Sequence, residues 1–164
     1  MARLDRLTTC LWFDRDAEAA ARRYVEIFGG EMGEITPYPE SDHPAHVGRA
    51  GTAMVVAFRI AGQEFVGLNG GPYFTLSPAV SFQVHCDTQA EIDLYWQALG
   101  EGGEPEAQQC GWLKDRFGVS WQIVPRAMAQ WMAGSDPARS ARVMKAMLPM
   151  KKLDIATLEA AAAG

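Results

Sequence analysis

The chain states nearly the same phrase twice. Tyr24-Val25-Glu26-Ile27-Phe28 runs into Gly29-Gly30-Glu31, and Tyr95-Trp96-Gln97-Ala98-Leu99 runs into Gly100 and then Gly102-Gly103-Glu104. Upstream, Leu11-Trp12-Phe13 leads to Asp16 as Phe82-Gln83-Val84 leads to Asp87. Leu11 and Phe82, Asp16 and Asp87, and Tyr24 and Tyr95 are each 71 residues apart. Self-similarity at a fixed period means two copies of one supersecondary unit, which limits the architecture more than any single motif does. It also gives every candidate site position a counterpart in the other half.

At 164 residues the chain is long enough for one ordinary core and too short for two large domains. A hydrophobic fraction of 48% and a charged fraction of 21% are globular values. The formal net charge of -5 argues against a nucleic-acid partner, which requires a basic stripe. Arg22-Arg23 and Lys151-Lys152 are the only dense basic spots and read as solvated helix faces. Cys10, Cys86 and Cys110 are scattered, odd in number and without C-x-x-C spacing, as expected of free thiols in a reducing cytoplasm. Met1 to Asp5 carry no apolar core of a signal peptide, and no apolar run reaches membrane-spanning length. The expectation is a cytoplasmic protein with no membrane partner.

Local signals order the elements. Leu7 to Phe13 reads as a strand. Asp14 or Asp16 caps a helix on which Ala17, Ala20, Ala21, Tyr24 and Phe28 recur at helical spacing until Gly29. Thr36 to Ala50, with Pro37, Pro39 and Pro44, reads as a loop or lid. Met54–Ile60 and Phe65–Leu68 are strands joined at Ala61-Gly62, and Asn69-Gly70-Gly71-Pro72 closes the half as a turn. In the second half Val80–Cys86 is a strand, and Thr88-x-x-Glu91 is a capping box for a helix with Ile92, Tyr95, Trp96 and Leu99 on one face. Gln108–Leu113 and Ser120–Val124 are strands around a turn at Asp115–Gly118. Beyond Pro125 the repeat ends, and Asp136-Pro137 and Asp154 start two tail helices. The Met-rich face of the tail, with Val143, Met144 and Met147, must bury against the chain's own domain or a partner subunit.

The fold class is therefore α+β: two tandem βαβββ units, about 5–72 and 78–126, in a domain spanning 1–126, with a helical extension over 127–164. This plan resembles the vicinal-oxygen-chelate superfamily, that of glyoxalases, bleomycin-resistance proteins and extradiol dioxygenases. More narrowly, the chain resembles the PhnB-like family, whose label is 3-demethylubiquinone-9 3-methyltransferase. The resemblance rests on Thr9-Cys10-Leu11-Trp12-Phe13, Leu68-Asn69-Gly70-Gly71-Pro72, Ala79-Val80-Ser81-Phe82, Asp93-x-Tyr95-Trp96, the run Cys110 to Gln122, and Met150-Lys151-Lys152-Leu153-Asp154. It implies a curved mixed sheet forming a cleft, and a homodimer.

Metal-dependent members of that superfamily hold a divalent ion with a His on the first strand and a Glu on the last strand of each unit. Strand alternation puts Leu11, Phe13, Phe82 and Val84 under the helices, and Thr8, Cys10, Trp12, Ser81, Gln83 and His85 on the other face. The ligand positions then fall on Thr8 and Ala79, and, counting back from Pro72 and Pro125, on Asn69 and Gln122. A hydroxyl, a methyl group and two amides do not hold Zn²⁺ or Fe²⁺, so no metal and no other cofactor is expected.

The leading expectation is a metal-free cleft that binds a small organic molecule, lined by Thr8, Trp12, Asn69, Ser81, Gln83, Trp112 and Gln122. The alternative is an enzyme, either a divergent lyase or isomerase or the methyltransferase of the family label. It would depend on Cys10, His85 or Cys110 as nucleophile or base. The methyl-transfer label finds no Gly-rich loop after the first strand, which runs into Asp14-Arg15-Asp16. A third possibility is a regulatory or assembly module whose tail carries the function. His43 and His46 form an H-x-x-H in the proline-rich loop with no third ligand nearby, and are read as surface residues.

Overall fold

The computed structural model describes residues 7–164; Met1 to Asp5 and the expected start of the first unit near residue 5 lie outside the described residues. The chain divides into two compact units at Leu76/Ser77. Among the described residues no helix is long and apolar enough to cross a membrane.

The first unit is built from β1 (Thr9–Phe13), α1 (Ala17–Phe28), β2 (Glu31–Pro37), β3 (Ala53–Ile60) and β4 (Gln63–Asn69). Its sheet has the order β1-β4-β3-β2, with β1 parallel to β4 and the other pairs antiparallel. Alternation decides the two faces. Leu11, Phe13, Val56, Phe58, Ile60 and Phe65 are buried under Ala17, Ala20, Ala21 and Tyr24 of α1. The expected stop at Gly29 is present as a left-handed cap, and Ala61-Gly62 joins β3 to β4 with both residues at positive φ.

Two expectations for this unit are corrected. The proline-rich stretch is not loop from Thr36 onward, because β2 extends to Pro37, and the loop beyond is closed by Tyr38 N–H to Thr52 O (2.8 Å) and Gly51 N–H to Tyr38 O (3.0 Å). Neither aspartate caps α1 through its side chain: the Asp16 carboxylate accepts no capping bond, and the Ala17 N–H donates instead to Asn69 Oδ1 at 2.8 Å.

The second unit contains β5 (Phe82–Cys86), α2 (Gln89–Gly100), β6 (Trp112–Lys114), β7 (Ser120–Pro125), α3 (Met128–Trp131), α4 (Pro137–Met147) and α5 (Ile155–Ala163). The sheet order is β5-β7-β6, with β5 parallel to β7. The capping box is complete: Glu91 N–H donates to Thr88 Oγ and Thr88 N–H to the Glu91 carboxylate, at 3.2 and 3.1 Å. The turn between β6 and β7 is held by the buried Asp115, which accepts from Phe117 N–H, Val119 N–H and Trp121 Nε1 at 2.9, 3.0 and 2.8 Å.

The strand expected from Gln108 onward is absent at its start. A short 3₁₀ turn, Pro105–Ala107, precedes it, Gln109 makes an isolated bridge to Trp112, and the strand itself begins at Trp112. Pro105 has no N–H to give a ladder and a fixed φ, so the chain turns rather than extending as a fourth strand.

The tail packs within this unit. Cys110 N–H donates to Met150 O (2.7 Å) and Gly111 N–H to Lys151 O (2.8 Å). The Gln89 side chain donates to Leu153 O and accepts from Ile155 N–H. Gly111 must be glycine: its φ is +84°, and a Cβ would meet Ile123 O at 2.9 Å and the Leu153 side chain at 3.0 Å. Leu153 joins Trp131, Val143 and Leu158 in a buried cluster flanked by Met128, Met132, Met147 and Met150. Val143 and Met147 of the Met-rich face therefore find their cover in the chain's own second unit, while Met144 stays exposed.

Two outcomes follow. Leu153→Ala, at a site 1% exposed, is expected to lower unfolding stability by about 2–4 kcal/mol in a denaturant titration read by tryptophan fluorescence. A change below about 0.5 kcal/mol would show that the tail cluster carries no stability. The second concerns acid. The Lys152 hydrogen bond, and then that from Gln89, hold the Asp93 carboxyl below its ordinary 3.8, and bonds from Thr157 do the same for Asp154. A carboxyl lowered in the folded state stabilises above pH 3.8 and loses that contribution as pH falls through its folded value. Tail docking should weaken on acidification below that point, and the Asp93→Asn/Asp154→Asn double variant should show a shallower acid limb; an unchanged limb would refute the linkage.

Candidate functional site

The face of the second sheet opposite α2 carries a cross-strand array. Gln83 on β5 lies opposite Gln122 on β7, and Gln122 lies opposite Trp112 on β6. The next row places His85 opposite Val124. Strand alternation puts these five side chains on one face, and Phe82, Val84, Cys86, Trp121 and Ile123 on the other, under α2. The amides are linked in a chain: Gln83 Nε2 donates to Gln122 Oε1 (3.2 Å), and Gln122 Nε2 donates to Ser81 Oγ (2.8 Å).

The tail turns this face into a cleft. Met128, Ala129, Met132 and Met147 stand over Gln83, His85, Trp112, Gln122 and Val124, with Cys110 at the margin, enclosing about 360 Å³. A second cleft of about 600 Å³ lies on the other side of Trp112, between Pro78, Ser120 and the segment Glu104–Cys110 that replaces the missing strand. Trp112 and Cys110 border both. Cys110 has positive φ (51°), and its thiol lies 3.7 and 3.5 Å from the Met147 and Leu148 carbonyl oxygens. These partners are acceptors; they orient the thiol without taking its proton.

The structure thus gathers Gln83, His85, Cys110, Trp112 and Gln122 at one cleft, with Ser81 at the end of its amide chain. Thr8, Cys10, Trp12 and Asn69 belong to the first unit. There Trp12 Nε1 donates to Gly71 O (2.8 Å), the ring packs edge-on against Phe74, and Gly70 leaves the space it fills, since a Cβ at 70 would stand 2.1 Å from the indole. Partial desolvation raises the Cys10 pKa, the reverse of what activates a nucleophile. Burial, with Glu91 and Asp87 nearby, pushes the Cys86 thiol up to about 11.

Asn69 is a correction. It lies opposite Phe13 in the β1–β4 register and so shares the helix face. Its side chain accepts from Ala17 N–H and donates to Ala53 O at 2.9 Å, and it is 6% exposed. It caps the helix, and on that side of the sheet it also lines a separate first-unit cavity with Tyr38, Arg49 and Thr52. Counting back from Pro72 put it on the last strand, where it lies, but its register opposite Phe13 turns it to the helix face.

The inherited metal positions do not converge either. Thr8 precedes β1 and Asn69 pairs with its last residue, a separation of roughly 16 Å along the strands. Ala79 lies in the turn before β5, four residues ahead of Gln83, the partner of Gln122. Among the described residues no group of three His, Cys, Asp or Glu side chains is placed to hold a metal ion. The donors present do not suit the divalent ion that the fold implies. The three methionines that wall the cleft were missed as site residues. Their only sequence signal, an apolar tail face, is that of any packed helix.

A βαβββ unit followed by a shortened βαββ copy is a plan of the glyoxalase and bleomycin-resistance class of folds. The family described as 3-demethylubiquinone-9 3-methyltransferase matches residues 5–124. A PhnB protein from Bacillus cereus is 33% identical, with a TM-score of 0.60 over 74% of this chain and 99% of its own. Protein PA1353 from Pseudomonas aeruginosa is 22% identical, with a TM-score of 0.58 over 74% of this chain and 98% of its own. The fosfomycin resistance protein FosX from Mesorhizobium loti shares the fold at 14% identity and a TM-score of 0.50, over 74% of this chain and 91% of its own. No curated protein matches the chain. The chain belongs to the PhnB-like 3-demethylubiquinone-9 3-methyltransferase family of the vicinal-oxygen-chelate superfamily.

If Asn69 works as a cap, Asn69→Ala should cost about 1–2 kcal/mol in chemical denaturation, because it strips the Ala17 N–H and the Ala53 carbonyl of buried partners. A loss within experimental error would remove the capping role.

Proposed function

We propose that the protein binds a small organic molecule, without a metal ion, in the cleft between the open face of its second sheet and its helical tail. The observation that carries this reading is the convergence of the Gln83-Gln122-Trp112 row with His85 and three methionines around about 360 Å³. Ligand sites are concave and mostly apolar, with a few placed polar groups, and span about 300–1,000 Å³. Here the indole and thioethers supply the apolar walls, and the linked amides supply direction. Binding is the role that this chemistry supports best. The Cys110 thiol faces carbonyl acceptors, and methyl transfer has no donor-binding loop after β1 in its support.

Native mass spectrometry of the purified protein, with elemental analysis of the same sample, tests the reading. The expected result is a homodimer that retains a small organic mass and no stoichiometric transition metal. Trp112→Ala should weaken retention at least about tenfold, the effect of losing about 1.4 kcal/mol of stacking and packing. One transition metal per subunit, or release of the ligand by a chelator, would overturn the metal-free reading.

A further inference from the structure

We infer that the ligand of this cleft is an uncharged, flat molecule of one or two fused rings that carries adjacent hydrogen-bond donor and acceptor groups on one edge. The inference rests on the binding reading above and narrows it to a chemical class. Among the described residues that line the cleft there is no aspartate, glutamate, lysine or arginine. The charged side chains near its ends are matched to each other: Arg126 bonds Asp87 at 2.6 Å, and Lys114 bonds Glu104 at 2.8 Å. A carboxylate, phosphate, phosphonate or ammonium group entering between the sheet and the tail would lose hydration and find no carboxylate, ammonium or guanidinium to pair with, His85 being the one imidazole in the described lining.

The amides that face the cleft are neutral and directional. With Gln83 Nε2 given to Gln122 Oε1 and Gln122 Nε2 given to Ser81 Oγ, the Gln83 carbonyl is left to accept and the second N–H of each amide to donate. Donor and acceptor therefore lie in one row beside the Trp112 ring, about 5 Å from strand to strand. A lactam, primary amide or keto-enol edge offers the matching pair. Above that edge the walls suit a ring: an indole stacks on aromatic faces, and thioethers are polarisable and make favourable contacts with them.

A matched set of probes tests the class: 1-naphthamide, 1-naphthoate and 1-naphthylmethylamine have nearly the same shape and differ in charge. Titrated calorimetrically into the full-length protein, the amide is expected to bind at least tenfold tighter than either charged probe. Gln122→Leu should abolish that preference, and Gln83→Leu, on the exposed end of the row, provides a second variant should Gln122→Leu fold poorly. Naphthoate or naphthylmethylamine binding as tightly as the amide, with Trp112→Ala weakening all three, would overturn the neutral class while leaving the binding cleft intact. If no probe binds, the mass retained in native mass spectrometry decides: a charged compound overturns the inference, and an uncharged aromatic one upholds it. An empty protein that binds no probe removes the binding reading and this inference with it.

Discussion

Two backbone hydrogen bonds, from Cys110 and Gly111 to Met150 and Lys151, govern the second unit. They tie the turn that opens β6 to the link between α4 and α5, and they bring Leu153 down onto Gly111, where no Cβ is tolerated. Once that contact is made, Trp131, Val143, Leu153 and Leu158 close into one buried cluster, and Met128, Met132 and Met147 are carried over the open face of the sheet. Without it the face would be a flat, solvated surface. The segments Cys110 to Gln122 and Met150 to Asp154 are thus two sides of one contact.

The two repeats have taken different courses from one plan. The first keeps all four strands and uses the last side chain of β4, Asn69, to cap its own helix. The second loses a strand where Pro105 stands, caps its helix locally with Thr88 and Glu91, and gains three helices. Loss and gain act together: the short sheet leaves an open face beside β6, and the tail covers part of it. The candidate site is therefore built from features of the second repeat, the shortened sheet and the tail.

Among the described residues, the lining of the proposed site holds no carboxylate, ammonium or guanidinium group. Its floor is a row of amides that hydrogen-bond each other, so each arrives at the ligand already oriented, and less side-chain entropy is lost on binding. Its walls are adaptable, because methionine fills irregular space with little strain. On the proposed binding reading, such a site selects by shape and by a single polar edge. Metal-dependent relatives of the fold would instead select by coordination, with donors that Thr8, Asn69, Ala79 and Gln122 do not supply.

What could be read directly from the residues was whatever depends on near neighbours and periodicity. The 71-residue repeat, the alternation that sends Leu11 and Phe13 inward and Gln83, His85 and Gln122 outward, the Thr88 capping box and the Asp136 and Asp154 caps all follow from spacing along a few residues. Tertiary structure alone decided the rest. Asn69 caps a helix 52 residues away, and Gln89 is bonded to the backbone 64 and 66 residues on. The methionines of the tail became the wall of a cleft only because chain closure placed them over β5, β6 and β7. Local rules act through hydrogen bonds and side-chain periods within a turn or a strand. Which distant surfaces meet depends on the burial and close packing of the whole unit, and a pattern of apolar residues shows only that a face will be covered, not by what.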